Sequence, residues 1–144
     1  NYRGIKIQEK TKSNVEGCDK LLEYSDKAKN SFIFTNLVDF DVYFGHRNDP
    51  AGFANALKEF DDFLPVFLDK LDTTDRLIIT SDHGNDPTTQ STDHSREYVP
   101  LLYFGEGKSA TNLGVRKTFS DAAKTVAAFY QVQNNLKGTS FLNQ

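Results

Sequence analysis

The chain has 144 residues, 38% of them hydrophobic and 26% charged, a balance that excludes a disordered segment and suits one domain with a substantial core. Its 17 basic and 20 acidic residues leave a formal charge of -3, so the basic footprint of a nucleic-acid binder is missing. No apolar run approaches the length of a membrane span, and no membrane partner is expected.

Residues 10–13 are polar and form a connection. Asn14 is the expected cap of a helix over residues 15–29, whose ragged apolar face carries Val15, Cys18, Leu21, Leu22 and Tyr24. Residues 31–38 (SFIFTNLV) are β-branched and aromatic, the composition of a buried strand. A loop with Asp39, Asp41, Gly45 and His46 follows at once. Over residues 51–71 the apolar positions Phe53, Leu57, Phe60, Leu64, Phe67, Leu68 and Leu71 recur at helical spacing. Pro65 lies inside that run and is expected to kink it or to divide it into two helices.

Residues 76–80 read as the next strand, ending in Ser81-Asp82-His83-Gly84-Asn85-Asp86-Pro87. A polar loop over residues 85–95 carries His94, and residues 98–104 form another strand whose start is demoted by Pro100. Residues 105–108 make a turn. Thr118 and Asp121 have the spacing of a capping box that opens a helix to about Tyr130. The tail holds one short apolar pair, Phe141-Leu142. The alternation of helices and strands predicts an α/β fold with a largely parallel sheet flanked by helices, as a single domain over residues 1–144.

The chemistry concentrates in the loops that follow apolar strands. The chain has three histidines: His46 comes five residues after Asp41, His83 directly after Asp82, and His94 directly after Asp93. Imidazole with carboxylate suits zinc, manganese or iron, and Cys18, the single cysteine, rules against a thiolate cluster. Asp41, His46, Asp82, His83 and His94 exceed the needs of one tetrahedral site. Two neighbouring divalent ions, clamping an attacking and a leaving oxygen, are therefore expected. Asp39, Asp86, Asp93 and Arg96 are candidates for orienting the ligands, and each is equally explicable as a turn former or a surface ion-pair partner.

Three stretches together resemble the phosphopentomutase family of alkaline-phosphatase-like metalloenzymes. They are Asn36-Leu37-Val38-Asp39-Phe40-Asp41 with Gly45-His46-Arg47, Ser81-Asp82-His83-Gly84-Asn85-Asp86-Pro87-Thr88, and Asp93-His94-Ser95-Arg96-Glu97-Tyr98-Val99-Pro100. The resemblance runs over nearly the whole chain but only the C-terminal part of the family's sequence. It implies a manganese pair, with Asp41, His46 and His94 on one ion and Asp82 and His83 contributing to the second. It further implies phosphoryl transfer between the 1 and 5 oxygens of a pentose phosphate. The family's phosphorylated threonine, a further aspartate and the sugar-gripping cap belong to its N-terminal half, and no segment here matches them.

The first residue, Asn1, and the absence of methionine favour an excised segment, expected to be inactive until the rest of its own chain completes the site. The lone cysteine suits a reducing cytoplasm. Two other readings stay open: a different superfamily member, such as a cofactor-independent phosphoglycerate mutase, and a non-catalytic module whose histidines are structural.

Overall fold

The computed structural model describes residues 3–105 and 110–143. Among them lie α1 (Asn14–Lys27), α2 (Pro50–Leu68), β1 (Arg76–Thr80), β2 (Leu101–Gly105) and α3 (Ser120–Phe129), an α/β assortment. The chain divides into two compact units, Asn1–Asp72 with His83–Tyr98, and Thr73–Asp82 with Val99–Gln144.

In the first unit, α1 starts one residue earlier than its spacing predicted. Ser13, not Asn14, is the cap, accepting the Glu16 N–H on its hydroxyl at 3.2 Å. Asn14, Gly17 and Cys18 form the buried face of α1. Asp49 caps α2 through the Gly52 N–H at 2.9 Å, with Pro50 in the first turn, where its missing N–H costs nothing. The helix is not divided: it continues through Pro65 to Leu68. Pro65 sits in the last turn, so few bonds remain beyond the one it forfeits, and its own carbonyl still accepts from Asp69. Ala56 and Phe67 face the core, and a stack of Phe63 on Phe67 at 5.8 Å extends that face.

Residues 31–38, expected as a buried strand, have no strand partner among the described residues: 31–37 are extended and Val38 already turns. They keep a strand's two-sided alternation. Ile33, Thr35 and Leu37 are partly covered, whereas Phe32 and Phe34 are 60% and 80% exposed. Composition sets the extended habit, but a ladder needs neighbours to accept and donate along it.

The second unit contains the one sheet found among the described residues, and the parallel pairing expected of the chain is not seen in it. β1 and β2 are antiparallel, with Arg76 opposite Gly105 and Thr80 opposite Leu101. A parallel pair needs a crossover, usually helical, and the segment between β1 and β2 contains no helix. β2 was expected over residues 98–104 but begins only at Leu101, just after Pro100, which cannot donate to a ladder. The predicted turn starts at Gly105, the last residue of β2, and its residues 106–108 lie outside the described residues.

The capping box predicted at Thr118 does not form. Asp121 instead turns its carboxylate to Arg116 Nε at 2.8 Å and to the Thr139 N–H at 2.9 Å. Gly138, at φ 154°, makes this approach possible, because a β-carbon there would lie 2.9 Å from the same carboxylate. The tail is thereby drawn onto α3, where the Thr125 hydroxyl accepts the Phe141 N–H at 3.0 Å. Phe141 is fully buried, edge-on to Tyr103 at 5.4 Å and below the Arg116 guanidinium at 5.6 Å. No helix among the described residues is long and apolar enough to cross a membrane.

Phe141→Ala is expected to destabilise the protein by about 3–5 kcal/mol, read as a lower urea midpoint at unchanged slope. The Thr139 N–H, with help from Arg116, holds the Asp121 carboxyl below its ordinary value. Its stabilisation is therefore complete above the unfolded value of about 3.9 and is lost as pH falls through the lower folded value. Asp121→Asn should accordingly be less stable than the parent at pH 7, and that gap should narrow as pH falls below the unfolded value of about 3.9.

Candidate metal centre

After residues 31–37 the chain does not enter a regular helix. Phe40–Phe44 winds into a single π turn and Gly45–Arg47 into a 3-10 turn, after which Asn48 adopts the left-handed conformation at φ 49°. The i to i+5 closure of the π turn runs from the Phe40 carbonyl to the Gly45 N–H, which is shared with the Asp41 carbonyl, and the 3-10 turn that follows carries His46. The His46 Nε2 atom lies 3.4 Å from Asp41 Oδ2. Phe40 secures the turn against α2 by packing on Phe53 at 5.4 Å.

A second loop, over residues 83–95, closes on itself before it meets the first. Gly84 and Ser95 form an antiparallel bridge, with the Ser95 N–H donating to the Gly84 carbonyl at 3.1 Å. Asp86 shapes the loop from inside. Its N–H donates to the Ser95 hydroxyl at 2.8 Å, and its carboxylate accepts from the Thr88 backbone at 2.8 Å. Asn48 then docks the loop, donating from Nδ2 to the Thr89 carbonyl at 2.5 Å and the Ser91 carbonyl at 3.1 Å. This docking brings His94 to Asp41, with Nε2 at 3.3 Å from Oδ1.

Asp41, His46 and His94 thus present one carboxylate oxygen and two ring nitrogens within 4.8 Å of one another. The His46 Nδ1–H donates to the Thr92 carbonyl at 2.5 Å. A carbonyl can only accept, so Nδ1 carries the proton of this bond and Nε2 is the ring nitrogen turned towards Asp41. This donor set fits a divalent ion of the zinc or manganese kind. His83 joins the same cluster through its ring, stacked on His94 at 3.7 Å, while His94 stacks on His46 at 4.9 Å. His83 is not among the three converging donors, and neither is Asp82, an exposed residue at the end of the second unit's first stretch.

Sequence reasoning missed Asn85. Its Nδ2 donates to Asp41 Oδ1 at 2.6 Å, which fixes the carboxylate between the imidazoles. Gly45 is the reason Asn85 fits: a β-carbon there would collide with the Asn85 carboxamide. The visible signal was Gly45 immediately before His46 and Asn85 two residues after His83. Asp86, by contrast, is a turn former, and Asp93 donates its N–H to the Ser91 hydroxyl at 3.0 Å.

The sequence profile of the Metalloenzyme superfamily matches residues 2–134. A phosphopentomutase of Dictyoglomus turgidum is 53% identical over 143 residues, covering 99% of this chain and 36% of the relative. A phosphopentomutase of Acetivibrio thermocellus is 55% identical over 141 residues, covering 97% and 36% respectively. The chain therefore spans a little over a third of the length of these curated relatives.

Gly45→Ala is expected to cost about 1–3 kcal/mol in the parent, from overpacking against Asn85. In an Asn85→Ala background the same change should cost distinctly less, a non-additivity measurable by urea denaturation of the four proteins.

Proposed function

The chain belongs to the Metalloenzyme superfamily, and from that premise we propose that it is a segment of a phosphopentomutase. The reaction assigned is transfer of a phosphoryl group between the 1 and 5 oxygens of ribose or deoxyribose. The observation that supports it most is the convergence of Asp41, His46 and His94, from two loops far apart in sequence, in a chain half identical to phosphopentomutases.

Two divalent ions, manganese in this reading, complete the centre. Asp41, His46 and His94 hold one, and Asp82 and His83 contribute to the other. Such ions polarise a phosphoryl group and lower the pKa of an attacking oxygen. The chain's own residues supply the geometry. Thr92 sets the His46 tautomer, Asn85 fixes the rotation of the Asp41 carboxylate, and Asn48 holds the His94 loop in place.

The nucleophilic threonine and the sugar-gripping cap are assigned to polypeptide beyond this chain, in keeping with its 36% share of the relatives. The same polypeptide would supply the neighbours of a largely parallel sheet, in which residues 31–37 are a candidate strand because their exposed face carries Phe32 and Phe34. A reducing cytoplasm suits Cys18, whose thiol is pushed up to about 11 by burial and, secondarily, by Asp19.

The natural-length protein is expected to interconvert pentose 1- and 5-phosphates with manganese and to lose turnover on chelation. The 144-residue chain alone should show no turnover. His46→Ala in the natural-length protein should reduce manganese affinity by at least about tenfold in calorimetry. Robust turnover by the short chain would refute the placement of the nucleophile, and unaltered metal binding in His46→Ala would refute the ligand assignment.

A further inference from the structure

Asn14 has a task other than the one its position suggests. Ser13 caps α1, and the Asn14 side chain, on a residue only 8% exposed, points elsewhere. The Asn14 backbone N–H donates to Asp39 Oδ2 at 2.7 Å, and the Asp39 N–H donates to Asn14 Oδ1 at 3.0 Å. Each residue therefore gives one backbone donor and takes with one side-chain oxygen, across 25 positions of sequence. The bond to the carboxylate is charge-assisted and lies at the positive end of the α1 dipole.

The place of this exchange gives it consequence. Asp39 is the residue immediately before the π turn, and Asp41 follows two positions later. The far end of the turn is held by Asn48 and by Gly45 against Asn85. A π turn has poorer hydrogen bonding than an α turn and persists where its surroundings fix both ends. The Gly45 N–H is shared between the Phe40 and Asp41 carbonyls, so the turn sits between π and α closure, and its start at Asp39 decides where the Asp41 carboxylate points.

We infer that Asn14 and Asp39 form a positioning pair that pins the start of the π turn and so sets Asp41 against His46. Neither is a catalytic residue. The assignment of a consequence for metal binding rests on the metal-centre reading above, whereas the positioning itself does not.

Both partners use only acceptor oxygens of their side chains, which makes a discriminating variant available. The exchange Asn14→Asp with Asp39→Asn conserves both hydrogen bonds and the net charge, whereas Asp39→Ala removes one. Two readouts are made on the natural-length protein: ring-to-ring nuclear Overhauser contacts between His46 and His94 without metal, and calorimetric titration with manganese chloride. Asp39→Ala is expected to lose the ring contacts and at least about tenfold in manganese affinity, and the exchanged pair to recover both. If Asp39→Ala does not fold, Asp39→Ser, which keeps a shorter acceptor, is expected to show the same losses in smaller measure. Ring contacts and affinity unchanged in the folded Asp39 variants, or not recovered by the exchanged pair, would overturn the proposal. Ring contacts that respond as expected in a protein that binds no manganese in any version would leave the positioning pair standing and sink the metal-centre reading.

Discussion

One carboxylate organises the first unit. Asp41 offers Oδ1 to the Asn85 amide and to His94, and Oδ2 to His46, all between 2.6 and 3.4 Å. A group with two oxygens can meet three partners only when its rotation is fixed, and a fixed rotation requires rigid partners. The backbone around it is accordingly held at several points that are not themselves ligands: the Asn48 side chain, the Thr92 carbonyl and the tight approach at Gly45. Loss of any one tether leaves a half-buried anion with an ill-placed donor, and polar clusters in low dielectric tolerate that poorly.

The tethers are mostly short polar side chains on backbone groups, the chemistry of turns and caps. Asn48, Asp49 and Asp86 each satisfy backbone groups that no helix or sheet would pair. That explains how irregular chain can be rigid enough to place imidazoles. It also explains why aromatic packing, such as Phe40 on Phe53, supports the loops from the α2 side. The division of labour is plain: apolar contacts fix where the loops are, and polar ones fix how the side chains are turned.

Much of this was legible in the sequence, and the failures have physical causes. β1 was read correctly because a short apolar run with a polar end has few alternatives, whereas the strand expected from residue 98 starts only at Leu101, because Pro100 cannot donate to a ladder. Ser13 and Asn14 are both good caps and adjacent, so composition does not separate them, whereas the buried exchange with Asp39 does. The direction of strand pairing depends on the connection, which reverses at Gly84 and Ser95 and has no sequence period. The Phe141-Leu142 pair was visible in the tail, but a short apolar pair carries no periodic signal of burial, and the Asp121 and Thr125 contacts are what draw Phe141 inward. At the candidate site the spacing of acid and imidazole was visible in advance, but the role of Asn85 depends on a glycine from another loop.

The bare side of residues 31–37 governs how this chain behaves among copies of itself. An extended segment with no strand pairing among the described residues and with outward phenylalanines is the kind of edge on which another backbone can add. Edges of that composition are where self-association of copies commonly starts as concentration rises. A lysine at Phe34 would act as the charged gatekeeper that natural edges commonly use.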